Sequence, residues 1–148
     1  MSDHRRRIRA LQALVAGSIL ASDSLYPQID EEFAEVYRVR LVRRRNRRRL
    51  LQVLHSTRAL DSSLKVFVTI FGLSPRNPSL GAYLWELTNH NQSRLGNLPE
   101  ADRRRYQSEI VDLRNEFMHE AGAFPPDDQQ IKVLLSDMHS CLCQVLSL

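Results

Sequence analysis

The spacing of apolar residues between positions 100 and 121 constrains the fold of this chain more than any other feature. Four large apolar residues follow one another at intervals of four, three and four: Tyr106, Ile110, Leu113 and Phe117. This spacing places all four on one face of an α-helix, whereas a half-buried strand would alternate every second residue. Pro99 suits the first turn of such a helix and Gly122 suits its end. We therefore predict a helix that packs on a core through this apolar stripe.

Apolar residues at helical spacing recur along the rest of the chain and predict an all-α bundle of about five helices. Aromatic residues make up only 7% of the sequence, and abundant Leu, Ala, Arg and Glu favour helices over strands. A length of 148 residues fits a single domain over positions 1–148 with a substantial core.

The predicted helix boundaries follow from caps, turn residues and interruptions of the apolar pattern. A first helix runs from Ser2 or Asp3 to about Ala21 and carries Ile8, Leu11, Val15 and Ile19 on one face. A second helix begins at Asp30, and the pattern continues through the arginine-rich segment 43–49 to Phe71, interrupted, if at all, near Ser56 or Asp61. The remaining elements are a helix over 80–91, closed by Asn91 and followed by a loop at Gly96, and a last helix capped by Asp127 or Asp128.

The cysteines and the N-terminus bear on the compartment. Cys141 and Cys143 are two residues apart, so on a helix they point away from each other and cannot form a disulfide. This favours a reducing compartment, the cytoplasm. No apolar run reaches the roughly 20 residues that span a membrane. Residues 5–7 and 11–21 loosely resemble a signal peptide, but polar residues interrupt the apolar run.

Arginine dominates the positive charge of the chain. The formal net charge is +4, and Lys65 and Lys132 are the only lysines. A guanidinium group binds phosphate in a bidentate way, so an arginine-rich basic chain suggests a nucleic-acid partner, here RNA. A GC-rich genome would produce the same bias without any such partner.

The arginines are densest in residues 43–49, which we call the arginine run. One interpretation is an arm that contacts RNA phosphates. The other is a solvated helix that projects beyond the core. The candidate RNA-binding residues are Arg43, Arg44, Arg45, Arg47, Arg48 and Arg49.

The helix over 100–121 also carries a guanidinium, an amide and an imidazole. On a regular α-helix Arg114 lies at the edge of the apolar stripe, whereas Asn115 and His119 lie nearly opposite it. Val111 and Met118 flank that second face, and a fully solvated face would usually carry charges instead. Either the face meets a twin helix across a two-fold axis, or another helix of the same chain covers it.

These three side chains suit phosphodiester cleavage. A neutral imidazole can take the proton of an RNA 2′-hydroxyl, and an imidazolium can protonate the leaving oxygen. A guanidinium stabilises the phosphate, and an amide orients it. This chemistry needs no metal or cofactor, and we predict neither. His139, Cys141 and Cys143 do not share one helical face as zinc ligands would.

At these residues the sequence resembles the HEPN superfamily of helical domains. The family hallmark is an arginine, four to six residues and a histidine, often with a polar residue after the arginine; here it reads Arg114-Asn115-Glu116-Phe117-Met118-His119. Residues 54–64 are also similar to such domains. The resemblance implies a homodimer with a composite active site and metal-independent endoribonuclease activity in toxin–antitoxin, abortive-infection or CRISPR defence. Arg114 and His119 would be catalytic, and Asn115 would support them.

One position departs from part of the family. Some of its toxins carry a tyrosine two residues after the histidine, which a partner enzyme modifies, and here that position is Ala121. A cognate antitoxin or defence partner would therefore act in another way. Two alternatives stay open: a catalytically inactive RNA-binding or dimerisation module, and a small helical antitoxin or adaptor in which Arg114 pairs with a neighbouring carboxylate.

Overall fold

A computed structural model describes residues 2–90 and 97–148. All regular secondary structure in these two ranges is helical, which confirms the predicted all-α bundle. Six helices are present in them: α1 Asp3–Ala16, α2 Tyr26–Arg38, α3 Arg45–Ile70, α4 Leu80–Asn89, α5 with the consecutive segments Glu100–Tyr106, Gln107–Asp112 and Leu113–His119, and α6 Asp128–Leu146. Asn91 and Gly96, predicted to close α4 and to mark the next loop, lie outside the described residues.

Helix α1 begins as predicted but ends early. The Ser2 side chain accepts a hydrogen bond from the Arg5 backbone N–H. At the other end, the Ser18 hydroxyl donates to the Val15 carbonyl and accepts from the Leu20 N–H, which diverts the chain into a 3-10 turn over Ile19–Ser22. The prediction of a helix to Ala21 is therefore wrong, and Ile19 remains 47% exposed instead of joining the buried face.

Helix α2 begins at Tyr26, four residues before the predicted start at Asp30, because Pro27 already occupies its first turn. The helix ends at Arg38, and a 3-10 turn over Val39–Leu41 separates it from α3. This break, rather than one at Ser56 or Asp61, makes six helices instead of about five. The arginine run accordingly straddles the start of α3.

Helix α3 forms the centre of the bundle and packs against α2, α4, α6 and the last segment of α5. Its 26 residues continue without interruption through Ser56 and Asp61. The buried hydroxyls of Ser56, Thr57 and Ser63 each donate to the backbone carbonyl four residues earlier, at 2.7 Å. Hydroxyls satisfied in this way let small polar residues occupy the core, so they do not break the helix.

Helix α5 is not a regular α-helix, because its middle segment Gln107–Asp112 is π-helical. A π turn accommodates one extra residue and so rotates everything that follows. Tyr106, Ile110 and Phe117 are buried as predicted, but Val111 is buried as well and Leu113 only half-buried. The prediction that Val111 belongs to an outward face is therefore wrong.

Two further contacts of α5 complete the correction. Met118, also predicted on the outward face, is half-buried and packs against the chain's own core. The apolar part of that face is thus covered within the chain, while Asn115 and His119 remain at the surface. Gly122 follows with φ +84°, a left-handed conformation that suits the predicted helix stop.

Helix α6 packs against α1 and α3. Its Asp127 cap accepts from the Gln130 N–H at 2.9 Å, as predicted. Cys141 is fully buried and Cys143 half-buried, and both thiols are free; burial raises the pKa of the Cys141 thiol to about 12. Among the residues that the structure describes, no helix has the length and apolarity needed to cross a bilayer.

Candidate functional site

The last segment of α5 presents the three predicted site residues at its surface. Arg114 and Asn115 are half-buried, and His119 is exposed at the final position of the helix. Arg114 Nη1 donates to Asn115 Oδ1 at 3.1 Å. The structure thus brings the guanidinium and the amide into direct contact and leaves the imidazole open to solvent.

The helix geometry explains why Asn115 stands between the other two residues. Arg114 and His119 are five residues apart, so their side chains leave an α-helix about 140° from each other. Asn115 precedes His119 by one turn and shares its face to within about 40°. The hydrogen bond from Arg114 to Asn115 therefore turns the guanidinium toward the face of the imidazole.

Asp61 on α3 is the site residue that the sequence did not reveal. Its carboxyl is half-buried, and burial raises its pKa above the ordinary value, whereas the positive charges of Arg114 and Lys65 act in the opposite direction. Tyr83 on α4 belongs to the same cluster: burial first, and then the negative charge of Asp61, raise the pKa of its phenol. Three helices thus surround the guanidinium of Arg114 with one acid and one phenol.

The sequence contained one indication of this arrangement. Asp61 lies between Leu60 and Leu64, which are fully buried, so a carboxylate was bound to sit at the edge of the buried face of α3. A charge at such a position generally has a specific partner. We considered Asp61 only as a helix break, because the pairing of α3 with the end of α5 is a tertiary contact that periodicity does not reveal.

The chemical capacity of the site follows from these neighbours. A guanidinium carries five N–H donors, and within residues 2–90 and 97–148 its hydrogen bond to Asn115 uses one of them. Asp61 balances part of the positive charge from the protein side. The remaining donors of Arg114 can hold an anion such as a phosphate at the surface, on the side toward His119.

The arginine run divides into two halves with different surroundings. Arg49 donates from Nε to Asp128 Oδ1 and from Nη1 to the Pro126 carbonyl, both at 3.0 Å. Arg48 donates to the Val42 carbonyl at 3.4 Å and lies 3.9 Å from Asp128. These two side chains join the start of α3 to the start of α6, which gives them a structural role.

The other half of the run is solvated. The exposed members are Arg43, Arg44, Arg45 and Arg47. Arg45 and Asp61 are sixteen residues apart on α3, which corresponds to about 24 Å along the helix axis. The structure therefore does not merge the arginine run with the Arg114 cluster, and the two form separate polar surfaces.

Metal ligands do not converge in the described part of the chain, where no group of three or more His, Cys, Asp or Glu side chains is arranged to hold an ion. His139 Nδ1 lies 3.6 Å from Cys143 Sγ, one helical turn away, while Cys141 is buried in the core.

Comparison with protein-family models, with curated proteins and with solved structures finds no match to this chain. The grounds for a function are therefore the residues themselves, the helical fold that carries them and the motif resemblance described above.

Proposed function

We propose that this protein is a metal-independent endoribonuclease of the HEPN type, which acts as a homodimer in toxin–antitoxin, abortive-infection or related defence. The observation that carries the proposal is the hydrogen bond between Arg114 and Asn115 beside an exposed His119. A guanidinium oriented by an amide and backed by the Asp61 carboxylate is a suitable phosphate ligand. An imidazole at the same helix end can exchange protons with the groups around that phosphate.

The reaction uses the RNA 2′-hydroxyl as nucleophile. His119 takes the 2′-proton, the 2′-oxygen attacks phosphorus, and the bond from phosphorus to the 5′-oxygen breaks. A proton delivered to the departing oxygen leaves a 5′-hydroxyl, and the other product ends in a 2′,3′-cyclic phosphate. Arg114 stabilises the negative charge that builds on the phosphoryl oxygens.

The homodimer supplies what one copy lacks. Concerted cleavage uses one group as base and another as acid, and each copy places one imidazole, that of His119, beside its Arg114. A second copy related by a two-fold axis would bring a second His119 to the same phosphate. Because the apolar residues Val111 and Met118 pack within the chain, the contact between copies would be made by the polar end of α5.

A cleavage assay on total RNA tests the proposal. Wild type and His119→Ala are compared in EDTA, with His139→Ala as the control because His139 lies on α6 beside Cys143. We expect His119→Ala to lose about 10²–10⁴-fold in rate, since general acid–base catalysis contributes that much. His139→Ala should cleave like wild type. Cleavage that stops in EDTA, or that continues undiminished in His119→Ala, would refute the mechanism.

The second candidate is a non-catalytic RNA-binding module of the same fold. The observation that favours it is the exposure of Arg43, Arg44, Arg45 and Arg47, which offer a basic surface far from His119. Such a module would bind RNA and leave every RNA intact, so the same assay separates the two functions.

A further inference from the structure

A cleft of about 550 Å³ lies between the start of α3 and the loop that leads into α6. Its lining residues are Arg44, Arg45, Asn46, Arg47 and Phe124. We call it the arginine cleft. It combines three guanidinium groups, one amide and one aromatic ring, and its volume falls in the range of small-molecule sites.

The structural half of the arginine run holds this cleft together. Arg49 binds both the Pro126 carbonyl and the Asp128 carboxylate, which fixes the loop from Phe124 onward against the first turns of α3. Pro125 is buried, whereas Phe124 keeps 37% of its surface exposed. The aromatic ring is thus fixed at the protein surface beside the arginines, although no apolar partner covers it completely.

The charge in the cleft is not balanced by the part of the chain that the structure describes. Arg44, Arg45 and Arg47 form no ion pair with its carboxylates, in contrast to Arg48 and Arg49. The first turn of α3 contains no acidic residue, and Arg44 provides no side-chain cap. Adjacent like charges at the positive end of a 26-residue helix repel one another, and a bound anion would relieve that repulsion.

We propose that the arginine cleft binds a segment of single-stranded nucleic acid. Guanidinium forks hold successive phosphates, and a base stacks on Phe124, which is the combination that single-strand-binding proteins use. An acidic peptide would match the arginines but would gain little from an isolated exposed ring. The site deepens the proposed function, because it assigns the substrate class a contact about 24 Å from Asp61, but binding there does not depend on cleavage.

The test measures binding of a short oligothymidylate, which lacks the 2′-hydroxyl and so cannot be cleaved by the proposed mechanism. Arg45→Ala/Arg47→Ala is compared with Arg9→Ala/Arg76→Ala, which removes the same charge from exposed positions elsewhere. We expect the cleft variant to bind about 10- to 30-fold more weakly near 0.1 M salt and its salt slope to flatten by about 1.4, the effect of losing two phosphate contacts. The control should stay close to wild type.

The role of the ring is tested separately. Phe124→Leu keeps an apolar side chain in the loop but cannot stack, and Trp85→Ala removes a different exposed aromatic residue, on α4. Phe124→Leu should lose about 5- to 100-fold in affinity for oligothymidylate. It should bind an abasic oligomer of equal length as wild type does, because that oligomer has no base to stack. Trp85→Ala should bind both oligomers normally.

Several outcomes would overturn the proposal. They are equal weakening by the two double variants, unchanged affinity in Phe124→Leu, and binding to anionic phospholipid vesicles but not to oligothymidylate. Binding without any RNA cleavage would refute the proposed nuclease while leaving this site intact. Cleavage with unaltered binding in the cleft variants would do the reverse.

Discussion

Arg49 and Asp128 are 79 residues apart in the sequence, and Nε of one lies 3.0 Å from Oδ1 of the other. The arginine side chain is only 12% exposed. Its hydrogen bond holds the pKa of the Asp128 carboxyl below the ordinary value, and the positive charges of Arg49 and Arg48 add to this effect. The pair therefore connects the beginning of the central helix with the beginning of the last one.

Replacement of Arg49 by alanine should destabilise the fold by about 1–2 kcal/mol, because it removes this ion pair and the hydrogen bond to the Pro126 carbonyl. Urea unfolding measures the change. Arg45→Ala is the matched control, since Arg45 is exposed at the start of the same helix, and it should shift stability by less than about 0.5 kcal/mol.

The same pair predicts an acid dependence. A carboxyl whose pKa is lowered on folding contributes stability above its unfolded pKa, and this contribution is lost as the pH falls through the folded pKa. The difference between wild type and Arg49→Ala should therefore shrink below about pH 4. A difference that stays constant down to about pH 2 would show that the ionic part is negligible.

Asp61→Asn should affect stability and activity in opposite directions. Burial raises the pKa of the Asp61 carboxyl, so its ionised form is unfavourable in the folded state and the amide should raise the urea midpoint at neutral pH. Arg114 would at the same time lose the charge behind it, and RNA cleavage should fall about tenfold. A variant that is both more stable and fully active would contradict a positioning role for Asp61.

Arg114→Lys should show whether the fork, and not only the charge, is needed. Lysine keeps a positive charge but cannot bind a phosphate and Asn115 in the planar geometry of a guanidinium. We expect cleavage to fall about 10²–10³-fold with little change in stability. Arg104→Lys, on an exposed part of α5, serves as the control and should cleave normally.

Asp137→Asn should stabilise the protein above neutral pH. Asp137 on α6 is partly buried against Glu109 of the π segment, and burial together with that neighbouring carboxyl raises its pKa to about 6. A raised pKa means that wild type loses stability as the pH rises from the unfolded value of about 4 toward 6. The melting temperature of the variant should exceed that of wild type at pH 8 and match it near pH 4. An Asp30→Asn control should show no such crossover.

Periodicity and capping predicted most of the helical architecture. The buried residues of α6, its Asp127 cap, the Ser2 cap and the stop at Gly122 all follow from local chemistry, which a single sequence reports directly. The early end of α1 depended on the local hydrogen bonds of Ser18, and the early start of α2 on Pro27. Both are legible in the sequence but compete with apolar patterns that extend past them.

The site was only partly predictable for a different reason. Arg114, Asn115 and His119 are neighbours along one helix, so their proximity could be derived from spacing. Asp61 joins them through packing of α3 against α5, and Phe124 joins the arginines through the Arg49 contacts. Such meetings of distant segments have no periodic pattern, and the orientation of the α5 face was obscured by an irregular turn.

That turn, Gln107–Asp112, has a genetic consequence. A helix that already holds a surplus residue is sensitive to length changes of a single codon: excising one residue there would restore regular winding and swing Arg114, Asn115 and His119 together by about 100° about the axis. The heading of the three side chains is thus written in the number of residues upstream of them, and in-frame insertion or loss, more than substitution, is the mutational route by which a lineage could redirect or silence them.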